Sequence, residues 1–199
     1  MVTSSHLEEN LRSRFSNSGR EIPLVTIRNV FPSRTDFVHH YVSEDGKRAL
    51  NVLYAGTIGR AQNLANAVEA ARIAATAGVD VHLRFVGAGA AKEALSEMAE
   101  QLKVHAEFYF RRPADALDEH YKWADTALVH LTDWEPLERA VPSKTYELMS
   151  SGLHISGVVA GEAAEIIESC NAGEVVPPEK PEELAALWVR LAKDPGQLR

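Results

Sequence analysis

The residues best suited to chemistry are gathered in Val141-Pro142-Ser143-Lys144-Thr145-Tyr146-Glu147-Leu148-Met149-Ser150-Ser151-Gly152. Pro142 suits the first turn of a helix, where its missing N–H costs nothing, and Ser143 can cap the amides that follow. Amides at a helix start, at the positive end of its dipole, attract an anion, and Lys144 adds a cation at the same place. Glu147 lies one turn further on, where its carboxylate can accept hydrogen bonds from ligand hydroxyls such as those of a sugar. Gly152 supplies the helix stop. A plainer reading is also open, because Lys144 and Glu147 stand at i,i+3 and can form an ordinary surface pair worth a few tenths of a kcal/mol. A capping box does not account for Glu147: with Ser143 as the cap, the acidic partner would fall on Tyr146.

Three other segments could meet a ligand. Tyr54-Ala55-Gly56-Thr57-Ile58-Gly59-Arg60 places Gly56 and Gly59 where a strand turns into a helix. Glycine there lets backbone approach a phosphate closely, and Arg60 offers a fixed charge; a tight turn without ligand is the alternative. Phe85-Val86-Gly87-Ala88-Gly89-Ala90-Ala91-Lys92 resembles a dinucleotide fingerprint but fails it. Lys92 replaces the third glycine, and no acidic residue closes the next strand near Phe110, so NAD binding is not expected. Gly87 reads as a turn glycine that can also touch a ligand edge. Arg111 and Arg112 follow a strand and can stack on a base or touch a phosphate, unless they only line a solvated loop. Gly161-Glu162 starts another helix, with Glu162 read as a structural acid compensating that helix's dipole.

Other chemistries lack the necessary residues. Cys170 is the only cysteine and has no evident catalytic partner, His39-His40 have no further ligand spacing, and no His-Glu-x-x-His pattern occurs. His105, His130 and His154 fall at or beside strands, where core or strand-end histidines are the ordinary case.

The elements that must position these residues alternate regularly. Residues 7–15 read as a helix, 24–28 as a short strand and 31–47 as a connecting loop. Strands then follow at 51–55, 81–86, 106–110, 126–131, 154–159 and 174–176, with helices at 61–77, 90–102, 114–123, 143–151, 162–169 and 181–193. Such alternation predicts an α/β fold: a Rossmann-like parallel sheet flanked by helices, with ligands bound beyond the carboxyl ends of the strands. Residues 1–22 read as a lead-in helix and interdomain segment, and 23–199 as the sheet domain.

At 199 residues, 45% hydrophobic and 25% charged, the chain has the composition of a globular domain with a full core. A formal charge of −7 opposes nonspecific nucleic-acid binding, so an anionic ligand needs local cations. No apolar run reaches the roughly 18 residues of a membrane span, and the start lacks a signal-peptide core. A lone cysteine suits a reducing compartment, and the expected location is the cytoplasm.

The ordered set of motifs resembles family-4 retaining glycosyltransferases: a Gly-x-x-Gly loop, Phe-Val-Gly-x-Gly, Trp123-Ala124-Asp125 before a strand, Pro-Ser-Lys-x-x-Glu, and Gly161-Glu162. The likeness covers nearly the whole chain and points to the C-terminal, nucleotide-sugar-binding half of the two-domain GT-B fold. The acceptor-binding half lies outside this sequence. The resemblance implies transfer of a sugar from a nucleoside diphosphate with retained configuration, the diphosphate being stabilised by helix-start amides and cations in place of a metal. It implies no cofactor, a UDP-linked donor, and membrane contact only through the full enzyme. By the match to Pro-Ser-Lys-x-x-Glu, Glu147 takes the ribose-binding role of the second glutamate in Glu-x7-Glu. Arg139 replaces the first glutamate, while Thr57 and Gln62 stand where an Arg and a Lys are usual, leaving Arg60 and Lys144 to compensate. The Val-Pro-Ser-Lys wording is closer to the bacterial surface-polysaccharide hexosamine transferases. The donor set is thus Gly56, Gly59, Arg60, Gly87, Arg111, Ser143, Lys144 and Glu147. A nucleotide-sugar 2-epimerase domain and a noncatalytic interaction module are the alternatives.

Overall fold

The computed structural model describes residues 1–19, 22–31, 49–110 and 114–198. Six parallel strands, β1 (Leu50–Thr57), β2 (Val81–Ala88), β3 (Ala106–Tyr109), β4 (Thr126–His130), β5 (His154–Val158) and β6 (Gly173–Val176), form one sheet in the order β3-β2-β1-β4-β5-β6. Sequence order reverses between β1 and β4. The crevice at such a switch point is where open α/β sheets bind ligands.

The strands alternate between two buried faces, as covered parallel sheets require. Val52 and Tyr54 of β1 join Leu83 and Phe85 of β2 on one face, packed against α2 (Ala65–Thr76), α3 (Lys92–Gln101) and α7 (Pro181–Lys193). Leu53 and Val86 face the other way, towards α4 (Asp118–Trp123), α5 (Ser143–Ser151) and α6 (Glu162–Ser169). Helix α7 places Leu184, Leu187, Trp188 and Leu191 at helical spacing on its buried side. Trp188 is fully buried and its indole N–H donates to Ser156 Oγ at 3.2 Å.

Local deviations from the sequence expectation have physical causes. Residues 24–28 form no strand: Thr26 makes a single bridge to Val2, with Val2 N donating to Val25 O and Ile27 N donating to Val2 O. The expected helix 61–77 begins instead with a 3-10 turn, Arg60–Gln62, ended by Asn63 in the left-handed region (φ 37°, ψ 50°). Residues 114–123 likewise split into a 3-10 turn, Ala114–Leu117, and α4. The 3-10 turn Glu135–Arg139 lies where no element was expected. Most of the expected loop 31–47 lies outside the described residues.

The lead-in helix α1 (Ser5–Asn17) is tied to the sheet domain near the carboxyl ends of the strands. No helix among the described residues is long and apolar enough to cross a membrane.

Candidate functional site

The site is built where β1 and β4 end. Beyond β4 the chain continues beside β5, with Leu131 N donating to Val158 O at 3.0 Å, then passes through the Glu135–Arg139 turn into α5. Pro142, with φ −56° and ψ 132°, occupies the cap position of α5, and no side chain caps its first amides. This corrects the expectation for Ser143, which is the first helical residue and is exposed. The rigid ring takes the cap position, so the serine hydroxyl no longer lies beside the amides it was to satisfy.

Lys144 and Glu147 do form the i,i+3 pair, at 2.7 Å between Nζ and Oε2. It is not a solvated surface pair, because Glu147 is only 8% exposed. The Tyr121 hydroxyl, on the inward face of α4, donates to Glu147 Oε1 at 2.6 Å, and Lys144 Nζ donates to the same hydroxyl at 3.3 Å. A closed triangle results, in which both carboxylate oxygens are held. Tyr121 is 26 residues away in sequence, and no local pattern connects it to Glu147.

On the β1 side, Arg60 is exposed and makes no ion pair among the described residues, so its charge is available at the crevice. Gly56 is the penultimate residue of β1 and Gly59 is the extended residue preceding the 3-10 turn. Gly87 serves the fold: a Cβ there would lie 1.8 Å from the Gly56 carbonyl oxygen, so its missing side chain lets the two strand ends touch. Arg111 lies outside the described residues. Arg139 pairs with Glu135 along the turn.

The structure adds residues that sequence reasoning did not connect. Glu162 is 2% exposed and reaches the start of α1. Its carboxylate accepts from Ser4 Oγ (2.6 Å), Ser5 N (2.9 Å) and His6 N (2.8 Å), and pairs with Arg28 at 2.8 Å. Its dipole role therefore extends from its own helix to α1, the helix it caps. Burial works against ionisation here, but the hydrogen bonds from Ser4, Ser5 and His6 and the Arg28 charge outweigh it and lower the pKa to about 2. Arg28 also donates to the Tyr146 hydroxyl at 3.0 Å, linking the lead-in segment to α5. Gly161, just before, has φ 65°, and a Cβ would fall 2.2 Å from the Glu138 carbonyl oxygen. His130 and His154 are buried strand residues, and desolvation pushes each down to about pKa 4, leaving both neutral.

Comparison with known families decides the broad class: residues 42–199 match the family described as Glycosyl transferases group 1. The chain belongs to this family. A comparison with curated proteins found no match. Among solved structures, this glycosyltransferase domain is similar to the pneumococcal O-GlcNAc transferase GtfA in complex with UDP and GlcNAc, with TM-score 0.78 and 16% identity over 98% of this chain and 38% of that one. Anabaena Alr3699/HepE in complex with UDP and glucose follows at TM-score 0.72 and 16% identity, covering 99% of this chain and 54% of that one. WaaG, a glycosyltransferase involved in lipopolysaccharide biosynthesis, gives TM-score 0.70 and 14% identity, with 99% and 54% covered. The sheet and its flanking helices thus match one half of the GT-B architecture, as the motifs implied. The chain spans 38% to 54% of the length of these three neighbours.

Proposed function

We propose that this chain is the donor-binding half of a retaining glycosyltransferase, holding a nucleoside diphosphate sugar in the crevice between β1 and β4. The observation that carries the reading is the Tyr121–Glu147–Lys144 triangle at the uncapped start of α5. Tyr121 fixes the carboxylate through Oε1. Among the described residues Oε2 is held only by Lys144, a long side chain and an exchangeable partner. When donor enters, Lys144 turns to the diphosphate and Oε2 accepts the ribose hydroxyls, so one side-chain movement serves both parts of the nucleotide. The α5 amides and Arg60 complete the anion site, a preorganised electrostatic arrangement of the kind that stabilises a developing leaving group. No metal or cofactor is needed in this scheme.

The UDP found in GtfA and Alr3699/HepE favours a UDP-linked donor here. The Val141-Pro142-Ser143-Lys144 segment favours a hexosamine transferase of surface-polysaccharide synthesis, acting in the cytoplasm. Residues 1–22 serve as the connection to an acceptor-binding domain. Membrane contact belongs to the full enzyme.

Titration with UDP and UDP-sugars in the presence of EDTA tests the reading. Saturable binding is expected. Absence of binding by any UDP, GDP or TDP species at millimolar concentration would overturn it and leave a noncatalytic module.

A further inference from the structure

The turn that follows β1 is pinned from below by polar residues that the donor scheme leaves unused. His130, the last residue of β4, is 2% exposed, and its Nε2 lies 3.0 Å from Asn66 Nδ2 in the first turn of α2. With the Asn66 amide donating, Nε2 accepts and the ring proton resides on Nδ1. That nitrogen is buried with no hydrogen-bond partner among the described residues.

Further ties reach the same segment. Thr132 N donates to Ala61 O at 2.9 Å, and Thr132 Oγ1 donates to Glu179 Oε1 at 2.7 Å. The same Glu179 oxygen lies 3.5 Å from Asn63 Nδ2. Asn63 and Glu179 both hold left-handed backbone, with φ 37° and 60°. Such conformations are sparsely populated for non-glycine residues and persist where the surroundings over-determine them. Three loops, after β1, β4 and β6, are therefore locked together immediately behind Gly59 and Arg60.

We infer that His130 is a positioning residue: through Asn66, whose backbone N donates to Asn63 O as Asn63 N donates to Arg60 O, it fixes the Gly56–Gln62 turn so that its amides and Arg60 face the diphosphate. The inference rests on the donor reading above. It separates His130 from a core histidine that only fills space, because the geometry it controls belongs to the phosphate end of the ligand and not to the nucleoside.

The test compares UDP with uridine as probes for the unaltered chain, His130→Phe, His130→Gln and Asn66→Ala, each checked for folding by thermal denaturation. His130→Phe should weaken UDP at least about tenfold while uridine stays within about twofold, the tenfold loss being roughly that of one hydrogen-bonded contact. His130→Gln, which keeps an acceptor for Asn66, should recover most of the loss. If His130→Phe does not fold, Asn66→Ala reads the same split. A folded variant that loses UDP and uridine equally, or loses neither, overturns the inference. Failure of the unaltered chain to bind UDP overturns the donor reading itself, and this inference with it.

Discussion

Replacing Glu162 by Gln should release the lead-in helix. Among the described residues, all of the hydrogen-bond and ion-pair partners of this carboxylate, Ser4, Ser5, His6 and Arg28, lie in the first 28 residues of the chain. The loss should therefore fall on the docking of α1 and leave the sheet intact. A carboxylate moved from its ordinary value of 4.5 to about 2 corresponds to about 3 kcal/mol of differential interaction. Because the folded pKa is depressed, that contribution is present above pH 4.5 and is lost as pH falls through about 2. Hydrogen exchange of the α1 amides is the assay. At pH 7 the variant should lose about two orders of magnitude of protection in α1 relative to the unaltered chain, with β1 and β4 unchanged. In the unaltered chain, α1 protection corrected for intrinsic exchange should decline as pH falls from 4.5 towards 2, and the variant should lack that decline. Equal α1 protection in both proteins at pH 7, or the same acid decline in both, would refute the reasoning.

Other expectations follow from the same contacts. Tyr121→Phe removes the donor that orients Glu147, so UDP affinity should fall by about 1–2 kcal/mol in calorimetry, while Tyr146→Phe, which loses only the Arg28 contact, should change it little. Gly161→Ala forces a Cβ against the Glu138 carbonyl at positive φ and should lower stability by about 2 kcal/mol or more in urea denaturation. His130 and His154 are buried neutral with pKa near 4. Their contribution is present above the unfolded value of about 6.5 and is lost as pH falls from there towards 4. Denaturant midpoints should decline through that window, and less steeply in His154→Asn.

Much of this architecture was legible because its signals are local. Helices α5, α6 and α7 span the residues expected of them: Pro142, Gly161 and Pro181 mark their starts, and Gly152 closes α5. The strands carry apolar runs typical of a sheet covered on both faces. Short 3-10 turns such as Glu135–Arg139 lack a periodic pattern long enough to detect. Leu24–Arg28 has strand-forming residues but only one bridging neighbour, so composition alone overstated it. The site was half legible. Lys144 and Glu147 stood out through their spacing, whereas Tyr121 enters through tertiary packing of α4. The capping of α1 by Glu162 spans more than 150 residues of sequence, beyond the reach of any motif.

The central claim is that Glu147 holds the nucleotide through its ribose. Binding of UDP and of 2′,3′-dideoxy-UDP to the unaltered chain and to Glu147→Ala measures this directly. The unaltered chain should prefer UDP by about 1–3 kcal/mol, the worth of hydroxyls bonded to a charged group, and Glu147→Ala should show no preference. The same preference in both proteins would contradict the account and return Glu147 to a structural pair with Lys144.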